Sequence, residues 1–150
     1  ARRLDLQQVG PEAVTIVTNS LNIAGEMVLR PSIRTVVIGG VARSESYELH
    51  GPFASRVLQD LLLERLFLGV DGLTPGEGAS CHHCGESGSN SEMVAKAGRG
   101  TVVADSSKLG KVALARICPI EQVDGLVTDT AAPAGVVADL EAVGVAVTLV

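Results

Sequence analysis

The sequence predicts an open α/β domain in which a mostly parallel sheet is flanked by helices. Three observations lead to this fold class. Short apolar runs rich in β-branched residues alternate with stretches of helical period, and the composition is 46% hydrophobic and 19% charged. Such a composition is typical of globular rather than disordered chains. A length of 150 residues fits one domain with a substantial buried core.

Six short apolar runs are predicted to form strands, because β-branched residues favour a pleated, half-buried surface. The runs cover residues 14–18, 35–38, 65–70, 101–104, 125–128 and 145–150. Most of them are nearly continuous apolar runs rather than alternations of apolar and polar residues. This pattern indicates strands buried on both faces, as in a parallel sheet covered by helices.

Three of the intervening stretches have the apolar spacing of a helix. Their apolar positions are Leu21, Ala24 and Val28, then Phe53, Val57 and Leu61, then Val136, Leu140 and Val143. The last set follows Pro133, which suits the first turn of a helix. Strands and helices that alternate in this way predict an open, doubly wound sheet. Residues 74–91 are rich in Gly and Ser and lack a clear period, so they are predicted to form a long polar loop.

Charge and composition exclude several classes of function. The formal net charge is −5, whereas affinity for nucleic acid comes largely from Lys and Arg, so the chain is predicted not to bind DNA by itself. Aromatic residues make up only 2%, which disfavours an RNA surface that stacks bases. The sequence has no apolar run of membrane-spanning length, no signal-peptide pattern and an odd number of cysteines. These features favour a cytoplasmic protein without membrane contact.

Polar clusters follow four of the predicted strands, at the sheet edge where open α/β proteins bind ligands. They are Thr18-Asn19-Ser20, Gly39-Gly40, Gly69-Val70-Asp71-Gly72 and Asp105-Ser106-Ser107-Lys108. Each also has a purely structural explanation: a helix cap, two tight turns and a solvated helix start. In a ligand site, the first cluster would offer backbone N–H groups to an anion, and the two glycines of the second would let the backbone approach the ligand closely. Asp71 of the third cluster would accept from sugar hydroxyls, and Lys108 of the fourth would pair with a phosphate.

Five blocks along the chain resemble the signature of the DeoR-family sensor domain, in the order and spacing of that family. They cover residues 15–24, 37–43, 67–72, 104–110 and 123–129. The resemblance implies a Rossmann-like fold similar to the ribose-5-phosphate isomerase and glucosamine-phosphate deaminase group. It implies a regulator of sugar-metabolism genes that binds a phosphorylated sugar or related metabolite. Contact with operator DNA then belongs to a separate winged helix-turn-helix domain, and the expected assembly is a homo-oligomer, a dimer or tetramer.

The resemblance carries over most of the expected site residues. The positions that match the family's effector cleft are Thr18, Asn19, Gly39, Gly40, Asp71, Gly72 and Lys108, and Glu86 and Asn90 resemble the pair that opens the next helix. The clusters themselves add Ser20, Arg43 and Asp105. Lys108 and the backbone around Thr18 and Asn19 are expected to hold the anionic end of the effector. Ser87-Gly88-Ser89 departs from the family pattern, since these are poor helix formers.

Two parts of the family pattern have no counterpart in the sequence. One is the winged helix-turn-helix domain, and the other is a first sensor strand with its Asp-x-Gly-Thr-Thr loop. We therefore expect residues 1–150 to be a sensor domain truncated at its N-terminus. Ala1 to Leu4 would then be the end of the helix that follows the missing loop.

An enzyme is the main alternative, because the related enzymes isomerise or deaminate sugar phosphates. That chemistry needs a positioned acid/base pair, for which Glu86, Asp71 and Asp105 are the available carboxylates. Likeness of fold alone does not establish catalysis. The sequence is therefore predicted to be a binding domain that has no catalytic residues and needs no cofactor.

The run Cys81-His82-His83-Cys84 suggests two further alternatives. Its spacing suits zinc, but a structural zinc site usually takes a second pair of ligands, and the sequence shows no such pair, so no metal is predicted. A Cys-x-x-Cys redox pair usually opens a helix directly after a strand. These cysteines are predicted to lie in a loop, which disfavours a redox role.

Overall fold

The fold consists of two units, seen in a computed structural model that describes residues 14–150. The boundary between the units falls between Val57 and Leu58. The helix end expected at Ala1 to Leu4 lies outside the described residues.

The first unit is built on a strand-helix-strand crossover. Its elements are β1 (Val14–Thr18), α1 (Leu21–Val28), β2 (Ile33–Val37), β3 (Val41–Arg43), β4 (Glu48–His50) and α2 (Pro52–Leu58). β1 and β2 pair in parallel, and β3 and β4 form an antiparallel hairpin. Because β1 and β2 are parallel, their carboxyl ends lie at one edge of their sheet, followed by Asn19 and Ile38 respectively.

The second unit combines a parallel and an antiparallel sheet. Its elements are β5 (Leu63–Leu68), β6 (Gly72–Thr74), β7 (Gly78–Cys81), α3 (Cys84–Lys96), β8 (Ala97–Val103), β9 (Ala115–Cys118), β10 (Gly125–Thr128), α4 (Ala134–Ala142) and β11 (Ala146–Leu149). The parallel sheet has the order β11-β10-β8-β5, and the antiparallel sheet has the order β6-β7-β9. The core includes Leu73, Leu126 and Leu140, each fully buried.

All six predicted strands are present, two in the first unit and four in the second. β1 and β2 pair with each other, and the four later predicted strands form the parallel sheet of the second unit. The expectation of strands buried on both faces holds for β10 and is wrong for β5. In β5, Leu66 and Leu68 are buried while Arg65 and Phe67 are exposed, so that strand has one solvated face within the described residues.

The predicted helices are present, with corrections to two of them. α2 ends at Leu58, so Leu61 lies beyond it, and its buried side chains are Ala54 and Leu58 rather than the predicted Phe53 and Val57. Ala54 and Leu58 are four residues apart and therefore share one helix face. Pro133 is the N-cap of α4 and directly precedes its first turn, because its carbonyl accepts the helical hydrogen bond from the Val137 N–H at 3.1 Å.

The prediction of a long loop over residues 74–91 is wrong. β7 and the first half of α3 occupy most of that segment, and all four residues of β7 are buried. Small residues are needed there because Gly78, at φ 75°, packs directly against the backbone of β9, where a Cβ would collide with the Cys118 carbonyl. At Gly78, the small residue reflects close packing between strands rather than a mobile loop.

Candidate functional site

In the first unit, the turn after β1 is the candidate ligand-binding element. The Ser20 hydroxyl caps α1 by accepting from the Ile23 N–H at 3.4 Å, and the Thr18 hydroxyl accepts from the Ser20 N–H at 3.0 Å. Asn19 is buried, and its backbone carbonyl accepts from the Leu49 N–H at 2.8 Å. The Asn19 side-chain nitrogen has no hydrogen-bond partner. The turn therefore offers one buried donor beside a helix N-terminus.

The Gly39-Gly40 turn is explained by packing at one of its two positions. Gly40 has φ 155°, and a Cβ there would lie 2.5 Å from the His50 carbonyl oxygen, so the hairpin β3–β4 requires glycine at this position. A Cβ at Gly39 would lie 3.8 Å from Phe53 Cβ, an ordinary contact. The nearby Arg43 guanidinium lies 3.3 Å from Glu45 Oε2, so this predicted site residue is already paired with a carboxylate.

In the second unit, the carboxyl edge of the parallel sheet brings Asp71 and Lys108 together. Asp71 follows β5, and Lys108 ends a 3-10 turn (Ser106–Lys108) that follows β8. The Lys108 ammonium lies 3.7 Å from Asp71 Oδ1. Both side chains are about one-third exposed, at 35% and 33% respectively. The pair is therefore open to a ligand, and its long separation leaves the ammonium incompletely satisfied.

The carboxylate of Asp71 is held in place by the segment that leads into α3. Asp71 Oδ2 accepts from the His82 N–H at 3.0 Å, and the Asp71 N–H donates to the Ser80 carbonyl at 2.9 Å. Gly72 beside it is buried, and a Cβ there would collide with the Lys111 carbonyl and lie 2.8 Å from the Ser80 hydroxyl. Gly72 thus has a packing role that sequence reasoning did not separate from ligand binding.

The start of α3 places Glu86 and Asn90 on the same face, four residues apart, and both are buried. The His83 side chain caps the helix by accepting from the Glu86 N–H at 3.4 Å. The helix continues through Ser87-Gly88-Ser89 despite the low helix propensity of these residues. Buried Met93 and Val94, on the next turn, supply the apolar packing that the helix needs.

The cysteine pair does open a helix after a strand, contrary to the prediction of a loop. Cys81 is the last residue of β7, and Cys84 is the first residue of α3. Cys81 is buried, and burial raises the pKa of its thiol. In the described part of the chain, no three His, Cys, Asp or Glu side chains form a group that would hold a metal ion.

Two further carboxylates stabilise the turns at this edge. Asp105 caps the 3-10 turn, and hydrogen bonds from the side chain and backbone of Ser107 hold its pKa below the ordinary value. Asp129, which follows β10, accepts from the Ser106 N–H at 2.6 Å. Hydrogen bonds from the backbone and side chain of Ser106 lower the pKa of Asp129. Sequence reasoning missed this role of Asp129, although the residue lies directly after a predicted strand.

Comparison with known proteins identifies the family. Residues 2–130 match the model of the DeoR C-terminal sensor domain. This chain belongs to the DeoR sensor-domain family. The open α/β architecture and the position of its polar residues at strand ends agree with that membership. Within residues 14–150, no helix is long and apolar enough to cross a membrane.

Relatives of this sensor domain are named as transcription regulators. A candidate aga operon transcriptional repressor of Escherichia coli O157:H7 is 33% identical over 91% of this chain and 51% of its own length. The HTH-type regulator GlpR of Haloferax volcanii is 30% identical over 87% of this chain and 51% of its own length. The glycerol-3-phosphate regulon repressor of Escherichia coli K12 is 26% identical over 81% of this chain and 48% of its own length. The chain thus spans about half the length of these relatives.

Proposed function

We propose that this sensor domain binds a phosphorylated sugar or a related metabolite, and that the ligand changes DNA binding by a separate helix-turn-helix domain. The relatives include a repressor named for the aga operon and one named for the glycerol-3-phosphate regulon, and glycerol 3-phosphate is a small phosphorylated metabolite. In keeping with this role, we propose a cytoplasmic, homo-oligomeric protein, a dimer or tetramer, that regulates sugar-metabolism genes.

The observation that carries the proposal is the Asp71–Lys108 pair. At 3.7 Å the ammonium is close enough to Asp71 to be oriented by it, but a charge-assisted hydrogen bond is about 2.7–2.9 Å long. A phosphate oxygen offers Lys108 a shorter contact, and the released Asp71 oxygen then accepts from a ligand hydroxyl. A ligand with both an anionic group and hydroxyl groups satisfies both side chains.

The turn after β1 is proposed as an anion-binding element within the first unit. The buried Asn19 amide lacks a partner for its nitrogen, and it lies beside the N-terminus of α1, where the helix dipole favours an anion. The Ser20 hydroxyl caps the helix and the Ser20 N–H donates to the Thr18 hydroxyl, so Ser20 remains a proposed contact that would exchange one of these bonds for the ligand. Glu86, Asn90 and Asp105 remain proposed ligand contacts of the second unit.

We propose that the domain does not catalyse a reaction. Its relatives are named as regulators. Both oxygens of Asp71 face donors, the His82 N–H and the Lys108 ammonium, which lowers its value as a base that abstracts a proton. Turnover of a sugar phosphate by the wild type, abolished in Glu86→Gln, would contradict this part of the proposal.

The test is calorimetry of the full-length regulator with a panel of phosphorylated sugars and polyols, followed by Lys108→Ala. Removing the charge-assisted contact costs about 1.5–3 kcal/mol, which corresponds to a loss of affinity of roughly ten- to a hundred-fold. The fold should be retained, because a partly exposed ion pair contributes only about 0–1 kcal/mol to stability.

Lys111→Ala is the matched control, since Lys111 is exposed and lies three residues further along the chain. It removes the same charge and should leave the affinity unchanged. Lys108→Ala should also lose the preference of the wild type for a phosphorylated ligand over its unphosphorylated analogue. Equal affinities in wild type and Lys108→Ala would mean that Lys108 does not contact the anionic group.

A further inference from the structure

The cysteine pair of the second unit has no part in the proposed ligand contacts. Cys81 is buried at the end of β7, whereas Cys84 is exposed at the start of α3. The third cysteine, Cys118, is buried in β9, and burial raises the pKa of its thiol. All three are free thiols in this structure. Only Cys84 is open to a reagent from solvent, and it has a second thiol three residues away.

The local geometry brings the two thiols of the Cys-x-x-Cys run into the same turn. Cys81 Sγ lies 3.4 Å from the His83 carbonyl oxygen, and that carbonyl carbon is bonded to the Cys84 nitrogen. The Cys81 thiol is therefore only one peptide unit from Cys84. The Cys84 side chain is exposed and free to rotate towards Cys81, and Gly85 gives the following backbone freedom to adjust.

We propose that Cys81 and Cys84 form a reversible disulfide when the protein meets a hydroperoxide. The exposed Cys84 thiolate attacks a peroxide oxygen, the O–O bond breaks, and Cys84 becomes a sulfenic acid. The Cys81 sulfur then attacks the Cys84 sulfur, and the hydroxyl leaves as water with the proton of Cys81. Two electrons pass from the thiols to the peroxide. A dithiol reductant restores both thiols by disulfide exchange.

The two cysteines have different exposures, which sets the order of these steps. Susceptibility to peroxide follows thiolate character and exposure. Cys81 is buried and Cys84 is exposed, so Cys84 is the first of the two that a peroxide meets. Because Cys81 lies so close, it captures the sulfenic acid before a second oxidant molecule reaches it.

The proposed disulfide connects to the candidate ligand site through His82. The His82 N–H, between the two cysteines, donates to Asp71 Oδ2 at 3.0 Å, and Asp71 is paired with Lys108. Closing the disulfide fixes the backbone that orients the Asp71 carboxylate. Oxidation should therefore change effector affinity by about five-fold or more, a coupling typical of linked sites. This last step rests on the proposed function, whereas disulfide formation does not.

The experiment treats the native full-length protein with hydrogen peroxide, blocks free thiols, and digests it with trypsin. One tryptic peptide, residues 66–96, holds both Cys81 and Cys84, and another, which begins at Ile117, holds Cys118. The first peptide should lose two hydrogen atoms and escape alkylation, and dithiothreitol should reverse both changes. The Cys118 peptide should stay reduced, and Cys118→Ser should still form the bond.

Cys84→Ser and Cys81→Ala are the decisive variants, with circular dichroism as the check on folding. Neither should form the internal bond, and Cys81→Ala should instead accumulate sulfinic acid or an intermolecular dimer through Cys84. The proposal is overturned if native wild type gives only over-oxidised Cys84, or if the bond appears only after denaturation. Formation of the bond without any change in effector affinity would overturn the coupling to Asp71 alone.

Discussion

Gly72 was predicted to line the effector site, but its surroundings predict a different consequence of mutation. In Gly72→Ala the new Cβ would collide with the Lys111 carbonyl oxygen, and would lie 2.9 Å from the carbonyl carbon and 2.8 Å from the Ser80 hydroxyl. Backbone cannot rotate away as a side chain can, so the strand β6 or the segment at Lys111 must shift. Overpacking of this kind typically costs about 1–3 kcal/mol. We expect Gly72→Ala to lower the free energy of unfolding by an amount in the upper part of that range.

Thermal unfolding measures this cost directly. For a domain of this size each kcal/mol lowers the Tm by about 2–4 °C, so a loss of 2–3 kcal/mol lowers it by about 4–12 °C. Gly76→Ala is the matched control, because Gly76 is exposed and a Cβ there meets nothing within 4 Å. Its effect should be within about 0.5 kcal/mol. If Gly72→Ala kept the wild-type Tm and lost only effector affinity, the packing explanation would be wrong.

Two further predictions concern hydrogen bonds in the second unit. Ser80→Ala removes the hydroxyl that accepts from the Ala113 N–H at 2.9 Å, which leaves this N–H buried without a partner. Chemical denaturation should therefore show a free energy of unfolding that is lower by about 1–3 kcal/mol. The lowered pKa values of Asp105 and Asp129 predict a pH dependence. A carboxyl with a lower pKa in the folded state stabilises the fold above its unfolded pKa of about 3.9, and this contribution is lost as the pH falls through the folded value. Asp129→Asn should flatten the fall in stability on acidification, and an unchanged slope would show that Asp129 contributes nothing to it.

The strands of the parallel sheets could be predicted because their signal is local. β10 was predicted with the bounds it has, since Gly125 to Thr128 is a short apolar run between polar residues. The three-residue strands β3, β4 and β6 were missed because so short a run has no measurable period. β7 was missed for a different reason: Gly78, Ala79, Ser80 and Cys81 are small residues selected by close strand packing, and small residues in sequence are also typical of loops.

The sequence predicted that polar side chains follow the strands, but not which of them are already paired. A polar residue at a strand end is visible in sequence, and Asp71 and Lys108 do meet at such an end. What sequence cannot show is which of these groups is already satisfied. Gly40 and Gly72 are required by neighbouring backbone, and Arg43 is paired with Glu45.

Unsatisfied groups are therefore the better guide to where a ligand binds. A buried polar atom without a partner costs about 1–3 kcal/mol, and a fold retains such a cost where a ligand repays it. Among the described residues, three buried side-chain atoms lack a partner: Asn19 Nδ2, Thr35 Oγ1 and Thr128 Oγ1. Thr35 lies within β2, whereas Asn19 directly follows a parallel strand and Thr128 ends one. Lys108 is different, because it is accessible and only loosely paired. Each unit thus has an unmet hydrogen-bonding group at the carboxyl edge of its own parallel sheet, and within the second unit the charge that suits a phosphate lies at that same edge.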